Sequence, residues 1–246
     1  MHEAPFIPIT FTVGDEDIEL IMPPRRLGDV CPHCVGLIRD GSARCFNCNE
    51  NAESLDGIVQ DVVAISLYAK PSRLRDWLTF YKSGDESLAD ALAVAAVAQI
   101  FARFFSENAD WLAGLALDYA VVVPSTVRPP PHPLAELLRL APHSELSFPP
   151  VLRRTAEPLD HNAPNPGAFE VASEVGGNRI LLIDDVYTSG ARAQSAAFRL
   201  RAAGAEVVSL CVLGRRYNPD YQTRDLELIR KQRNEQFSWR VDARSR

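Results

Sequence analysis

The chain has 246 residues, 46% hydrophobic and 24% charged, with a net charge of −6; this balance fits a globular protein with one sizeable core and room for a small extra module. Its longest apolar stretches are interrupted by Asp90, Gln99, Arg103 and Asp118, which excludes a bilayer span within them and predicts no membrane partner. The start (Met1, His2, Glu3, Ala4) lacks the charged and apolar parts of a secretory leader, so a cytoplasmic location is expected.

In chain order, residues 6–13 and 18–22 are two strand-like runs separated by Gly14, Asp15, Glu16 and Asp17, which predicts a hairpin. Cys31 and Cys34, then Cys45 and Cys48, form two Cys-x-x-Cys knuckles with ten residues between them. The short gap lets both sulfurs of a knuckle reach one ion, and four thiolates complete a tetrahedral shell. A closed set of four ligands points to structural Zn2+. A redox-active pair is the rival reading, although one knuckle would suffice for that. His33 lies inside the first knuckle and is superfluous beside four cysteines. Residues 1–56 carry four Arg against ten acids, whereas a grip on nucleic acid needs cations that neutralise phosphates. A structural or partner-docking role is therefore favoured for this ribbon over nucleic-acid binding.

Residues 49–57 read as a polar linker. Residues 59–68 predict a strand that opens the main domain, and residues 72–81 and 86–105 show helical spacing, the second being alanine-rich. Residues 119–124 predict a buried strand stopped by Pro124, followed by a loop stiffened by Pro129, Pro130, Pro131 and Pro133 and a short helix over 134–140. Residues 153–177 are polar and contain Pro158, Pro164, Pro166 and Gly167, which predicts a long mobile loop. A strand over 180–187, a helix over 191–203 and a strand over 206–213 complete the alternation, with Cys211 expected as a small core residue. The tail is basic, with nine cationic and five acidic residues over 214–246. The expected architecture is α/β: a mostly parallel sheet flanked by helices, with ligands at the carboxyl ends of the strands. The expected divisions are a hairpin and zinc ribbon over 1–56, the main domain over 57–216 and a helical tail over 217–246.

The stretch over residues 180–190 carries the most chemistry. An apolar run ends in Asp184 and Asp185, followed by Val186, Tyr187, Thr188, Ser189 and Gly190 at the entry to a helix. Free N–H groups converge in such a turn and the helix dipole favours an anion. Small and hydroxyl side chains let a phosphate approach and add donors. The acid pair repels phosphate and suits sugar hydroxyls or Mg2+ instead. A phosphate grip beside a diol grip describes a ribose 5-phosphate site. An ordinary strand–turn–helix with a capping acid is the plain alternative, but adjacent acids followed by Tyr, Thr, Ser and Gly are rare there.

Residues 179–215 resemble the phosphoribosyl-pyrophosphate (PRPP) signature of type I phosphoribosyltransferases. The resemblance implies that Asp184 and Asp185 bind the ribose hydroxyls and that Val186 to Gly190 bind the 5-phosphate. Over residues 28–216 the chain is similar to the ComF-type competence branch. The similarity rests on the knuckle pair, on Tyr81, Lys82 and Gly84, on Val123, Pro124, Ser125 and Thr126, and on Asn165 to Phe169. It implies that Ser125 and Thr126, with Arg128, meet the pyrophosphate, and that Mg2+ enters with PRPP. Asp184, Asp185 and Arg128 form the implied catalytic set. Arg153 or Arg154 could close over the site, and Lys82 could face a phosphate or cap a helix end. Two departures stand out: Pro131, His132 and Pro133 replace the polar segment usual after the pyrophosphate loop, and the arginine usual before Asn165 is missing. The implied function is Mg2+-dependent binding of PRPP and phosphoribosyl transfer to a nitrogenous acceptor. The alternative is a non-catalytic module that binds PRPP or a nucleoside monophosphate, in DNA uptake or nucleotide sensing. A homodimer is left open.

Overall fold

A computed structural model describes residues 10–13, 16–39, 41–83, 88–125, 131–140, 146–219 and 223–242. Thr126, Arg128 and Gly84 lie outside the described residues. Strands β1 (Thr10–Val13) and β2 (Glu16–Glu19) form an antiparallel hairpin. Helix α1 (Phe46–Ser54) starts at the second knuckle, with Cys45 as its N-cap residue. The central sheet then takes β3 (Val62–Tyr68), β4 (Tyr119–Val122), β7 (Arg179–Tyr187) and β8 (Glu206–Arg216), in the spatial order β3-β8-β7-β4. All three pairings are parallel. A parallel pairing needs a crossover, and helices supply it: α2 (Arg73–Phe80), α3 (Leu88–Glu107) and α4 (Ala109–Gly114) between β3 and β4, and α6 (Ala191–Ala202) between β7 and β8. Helix α5 (Pro133–Leu140) and the short antiparallel pair β5 (Leu152–Arg154) and β6 (Phe169–Val171) lie between β4 and β7.

Because both faces of the sheet are covered, every residue of β3 is buried. The period-2 alternation of the strands sorts the core into two layers. Val63, Ile65, Leu181, Ile183, Cys211 and Leu213 face α3, whose Ala93, Ala96, Val97, Ile100, Phe101 and Phe104 follow helical spacing. Ala64, Ile180, Leu182, Leu210 and Val212 face α6, and the four knuckle cysteines pack into this second layer. The expectation for Cys211 holds. Helix α7 (Thr223–Arg233) lies against the segment after the hairpin: Gln232 donates to Met22 O at 2.9 Å, Arg224 pairs with Asp29 at 2.6 Å and Arg233 with Glu19 at 3.1 Å. The basic tail thus meets acids of the N-terminal segment.

Two expectations need correction. Residues 49–57 are no linker, since α1 runs through most of them and buries Asn51. The polar composition that resembled a linker belongs to a helix with solvent on most of its surface. The segment 153–177 is held by the β5–β6 pair and by a 3-10 turn (Pro166–Ala168) capped by Asn165, whose Oδ1 accepts from Gly167 N at 2.8 Å.

Gly214 of β8 lies under β3 and α2, where an added Cβ would sit 2.8 Å from Tyr68 Cε1 and 3.0 Å from Leu78 Cδ1. Gly214→Ala should lower unfolding free energy by about 1–3 kcal/mol in denaturant titration, the usual cost of overpacking. A variant as stable as wild type would show that the sheet relaxes freely there.

Candidate functional site

The carboxyl end of β7 places Asp184 and Asp185 in the middle of the sheet, where both side chains are 1% exposed or less. Two buried carboxylates side by side need cations and donors, and three residues supply them. Arg192, in the first turn of α6, forks onto Asp184 through Nε at 3.1 Å and Nη2, and reaches Asp185 through Nη2 at 3.0 Å. Lys82 pairs with Asp185 from the other side. Tyr81 donates its hydroxyl to Asp185 Oδ2 at 2.7 Å. Burial, then the charge of Asp185, pushes the Tyr81 phenol well above its ordinary range, so it stays a donor. Burial pushes Asp184 up to about 7 against the pull of Arg192, with Asp185 adding to the rise. Burial acts on Asp185 as well, but Lys82 and Arg192 outweigh it and hold that carboxyl well below the usual range. One acid of the pair is therefore firmly ionised while the other is poised near neutrality.

After Tyr187 the chain turns sharply into α6. Gly190 has φ +85°, and a Cβ there would fall 2.1 Å from the Tyr187 hydroxyl, so glycine is required on both counts. The Tyr187 ring is buried and touches Gln194 and Arg215. Its side chain points into the core, and only its backbone belongs to the turn. Ser189 donates to His161 O and accepts from Ala191 N at 3.3 Å. A pocket of about 170 Å³ is lined by Lys82, Asp184 and Asp185, by Val186, Thr188, Ser189 and Gly190 of the turn, by Arg192 and by residues 159–161. Segment 153–177 therefore contributes a wall of the pocket.

Ser125 lies beyond β4 and lines a separate cavity of about 720 Å³ with His132, Arg153 and Arg154. Arg154 does not reach the acid pocket: its guanidinium donates to Ala168 O and Glu157 O and stacks on Phe169. His132 explains one departure noted in the sequence. Leu134 N donates to its Nδ1 at 3.1 Å, and Pro133 opens α5 directly after it, an arrangement suited to starting a helix. Burial lowers the His132 pKa to about 4, so the ring is neutral at physiological pH.

The four cysteine sulfurs lie within 4.8 Å of one another, are buried, and form no disulfide. Tetrahedral zinc with Zn–S bonds of about 2.3 Å requires sulfurs about 3.8 Å apart, and Cys34 Sγ and Cys45 Sγ stand at 3.5 Å. The cluster fits zinc. The ring of His33 faces Gln60 O, so it adds no fifth ligand.

Sequence reasoning reached the acids, the turn and the cysteines, but not Tyr81, Arg192, Asn51 or Arg215 as members of one assembly. The position of Arg192 just inside α6 was visible, whereas the reach of Arg215 and Asn51 depends on packing.

No protein-family model matches the chain, and no curated protein does. Among solved structures, orotate phosphoribosyltransferase of Mycobacterium tuberculosis aligns at 23% identity over 56% of this chain and 66% of that chain, with a TM-score of 0.35. UMP synthase of Leishmania donovani aligns at 20% identity over 56% of this chain and 31% of that one, TM-score 0.33. A phosphoribosyltransferase from Corynebacterium diphtheriae aligns at 18% identity over 70% and 94%, TM-score 0.33. The chain spans less than two thirds of the length of the first two.

Two measurements test the site. Metal analysis of protein prepared without chelator should give about one zinc per chain, and chelation should lower the melting temperature; a metal-free protein of unchanged stability would contradict the assignment. Carbon-13 NMR of the carboxyl of Asp184 should show titration near pH 7. The folded pKa lies above the unfolded value of about 3.9, so the stability that Asp184 contributes is present below pH 4 and is lost as pH rises through 7. Relative to Asp184→Asn, wild-type stability should fall across that window, and a constant difference would refute the raised pKa.

Proposed function

We propose that this pocket binds a ribose 5-phosphate group, that its natural ligand is PRPP, and that the protein transfers the phosphoribosyl group to a nitrogenous acceptor. The observation that carries the reading is the shared pocket: the two carboxylates and the turn that leads into α6 line the same cavity. The turn offers N–H donors and the Thr188 hydroxyl to a phosphate. The carboxylates offer acceptor lone pairs to two sugar hydroxyls. The same two grips serve a nucleoside monophosphate.

Transfer would break the bond from the anomeric carbon to pyrophosphate and form one to nitrogen, with positive charge developing on the sugar. Asp184 and Asp185 stand on the sugar's side of the pocket and would stabilise that charge. Lys82 and Arg192, whose cationic groups already border the pocket, would orient the carboxylates. Ser125, with Thr126 and Arg128, would meet the pyrophosphate. Mg2+, when bound with PRPP, would neutralise pyrophosphate oxygens and polarise the leaving group. The acid oxygens are suitable donors for it, yet Arg192 and Lys82 occupy them, so the ion would be held mainly by the ligand.

One observation favours a second reading, a module that binds PRPP or a nucleotide without turnover, in DNA uptake or nucleotide sensing. Among the described residues, the cations lining the pocket are both paired with the acids, and Arg154 is engaged with its own loop. Leaving pyrophosphate would then have to be met by residues outside the pocket wall. The ligand set proposed includes no nucleic acid. A homodimer, a cytoplasmic location and membership of the ComF-type branch also belong to this proposal.

Calorimetric titration with PRPP and Mg2+, followed by a pyrophosphate-release screen across nitrogenous bases, tests both readings. Asp184→Asn should weaken PRPP binding by roughly 1.5–3 kcal/mol, the value of a charge-assisted hydrogen bond. Unchanged affinity would place the ligand elsewhere. Tight binding with no base that accelerates release would leave the non-catalytic module standing.

A further inference from the structure

Three consecutive carbonyls of the turn are held by two side chains, one that also grips the first cysteine knuckle and one carried on the helix that starts at the second. Arg215 at the end of β8 is 5% exposed. Its Nε donates to Cys34 O at 3.0 Å and its Nη2 faces Cys34 Sγ at 3.8 Å. Its Nη1 donates to Tyr187 O at 3.0 Å and to Thr188 O. The guanidinium is clamped between the rings of Tyr187 and Tyr217, with centroids at 5.2 and 5.4 Å. A Cβ on Gly36 would sit 2.9 Å from Nη2 and 3.3 Å from Cys34 Sγ, so the first knuckle lies directly on the guanidinium. The next carbonyl, Ser189 O, accepts from Asn51 Nδ2 at 2.9 Å. Asn51 is 1% exposed and rides on α1, which begins at Cys45 and carries Cys48.

A trans peptide is planar, with its C=O and the following N–H pointing in opposite directions. Fixing the carbonyls of Tyr187, Thr188 and Ser189 toward the knuckles therefore turns the N–H groups of Thr188, Ser189 and Gly190 the other way. Those three residues line the acid pocket. Arginine suits this position because its planar fork serves several acceptors at once, which a lysine point charge cannot do.

We propose that Arg215 and Asn51 are positioning residues that hold the anion-binding turn in shape from the four-cysteine site, so that metal occupancy there sets the affinity for the sugar phosphate. The inference rests on the ribose 5-phosphate reading above. Metal would fix where Cys34 O stands and where α1 starts; without it the four thiols lose the common centre that ties the two knuckles together, and both anchors slacken. Linkage makes the coupling reciprocal: a ligand that needs the ordered turn must also tighten the hold on metal.

The test uses the full, zinc-loaded chain and ribose 5-phosphate as probe. Transfer of zinc to a chromogenic chelator should slow by about tenfold at saturating ribose 5-phosphate, within the usual range of coupling between sites. In Arg215→Lys and in Asn51→Ala the slowing should collapse toward unity. Amide exchange at residues 188–190 should quicken in both zinc-loaded variants while the β7–β8 ladder stays protected. Zinc release that ignores saturating ligand in wild type overturns the proposal, as does unchanged exchange of the turn in both variants. If one variant fails to fold, the other and the wild-type release rates decide. If wild type does not bind ribose 5-phosphate, the functional reading fails, and turn exchange in the variants alone decides the mechanical link.

Discussion

Two adjacent carboxylates buried at the carboxyl end of a parallel strand carry a large desolvation penalty, and much of the site is arranged around it. Unpaired, each would forfeit several kcal/mol of hydration. Arg192 and Lys82 neutralise them, and Tyr81 fills a further lone pair. These partners come from α6 and from the residues just after α2, so these two helices are tied to the same pair of charges. The pairing holds the acids fixed in the lining of the pocket.

The second constraint is the turn after Tyr187. Its N–H groups can face an anion only if its carbonyls are satisfied behind it, and the cysteine knuckles lie behind it. The four-cysteine segment therefore packs against more than its own short stretch of chain. Its sulfurs belong to the hydrophobic layer between the sheet and α6, and Arg215 is shared between the ribbon and the turn. A buried guanidinium with that many acceptors is poorly replaceable, since loss of any one partner leaves a buried polar group unsatisfied.

Charge asymmetry along the sequence also finds its place. The acidic N-terminal segment and the basic tail look like separate features in one dimension. In three they meet, through Arg224 with Asp29 and Arg233 with Glu19. Each exposed pair is weak, but Gln232 adds a buried bond to Met22 O, and Ile21, Leu67, Tyr217 and Ile229 form a small apolar cluster between them. The tail is packed structure, and part of its positive charge is spent on the chain itself.

Legible in the order of residues alone were the α/β alternation, the parallel sheet, the paired spacing of the four cysteines, and the acid–turn–helix run at the end of β7. All of these are local signals, written in periods of 2 and 3.6 or in gaps of two residues. Sequence alone misreads residues 49–57 because a polar helix and a linker have the same composition, and residues 153–177 because prolines in an ordered loop look like prolines in a mobile one. Which cations stand on Asp184 and Asp185, that Tyr187 turns its ring into the core, and that Asn51 and Arg215 reach the turn all depend on how distant segments pack. Asn51 and Ser189 are 138 positions apart, and Arg215 and Cys34 are 181 apart. No local preference encodes such contacts; they exist because burial of the sheet on both faces brings α1, the knuckles and the end of β8 onto the same side of β7.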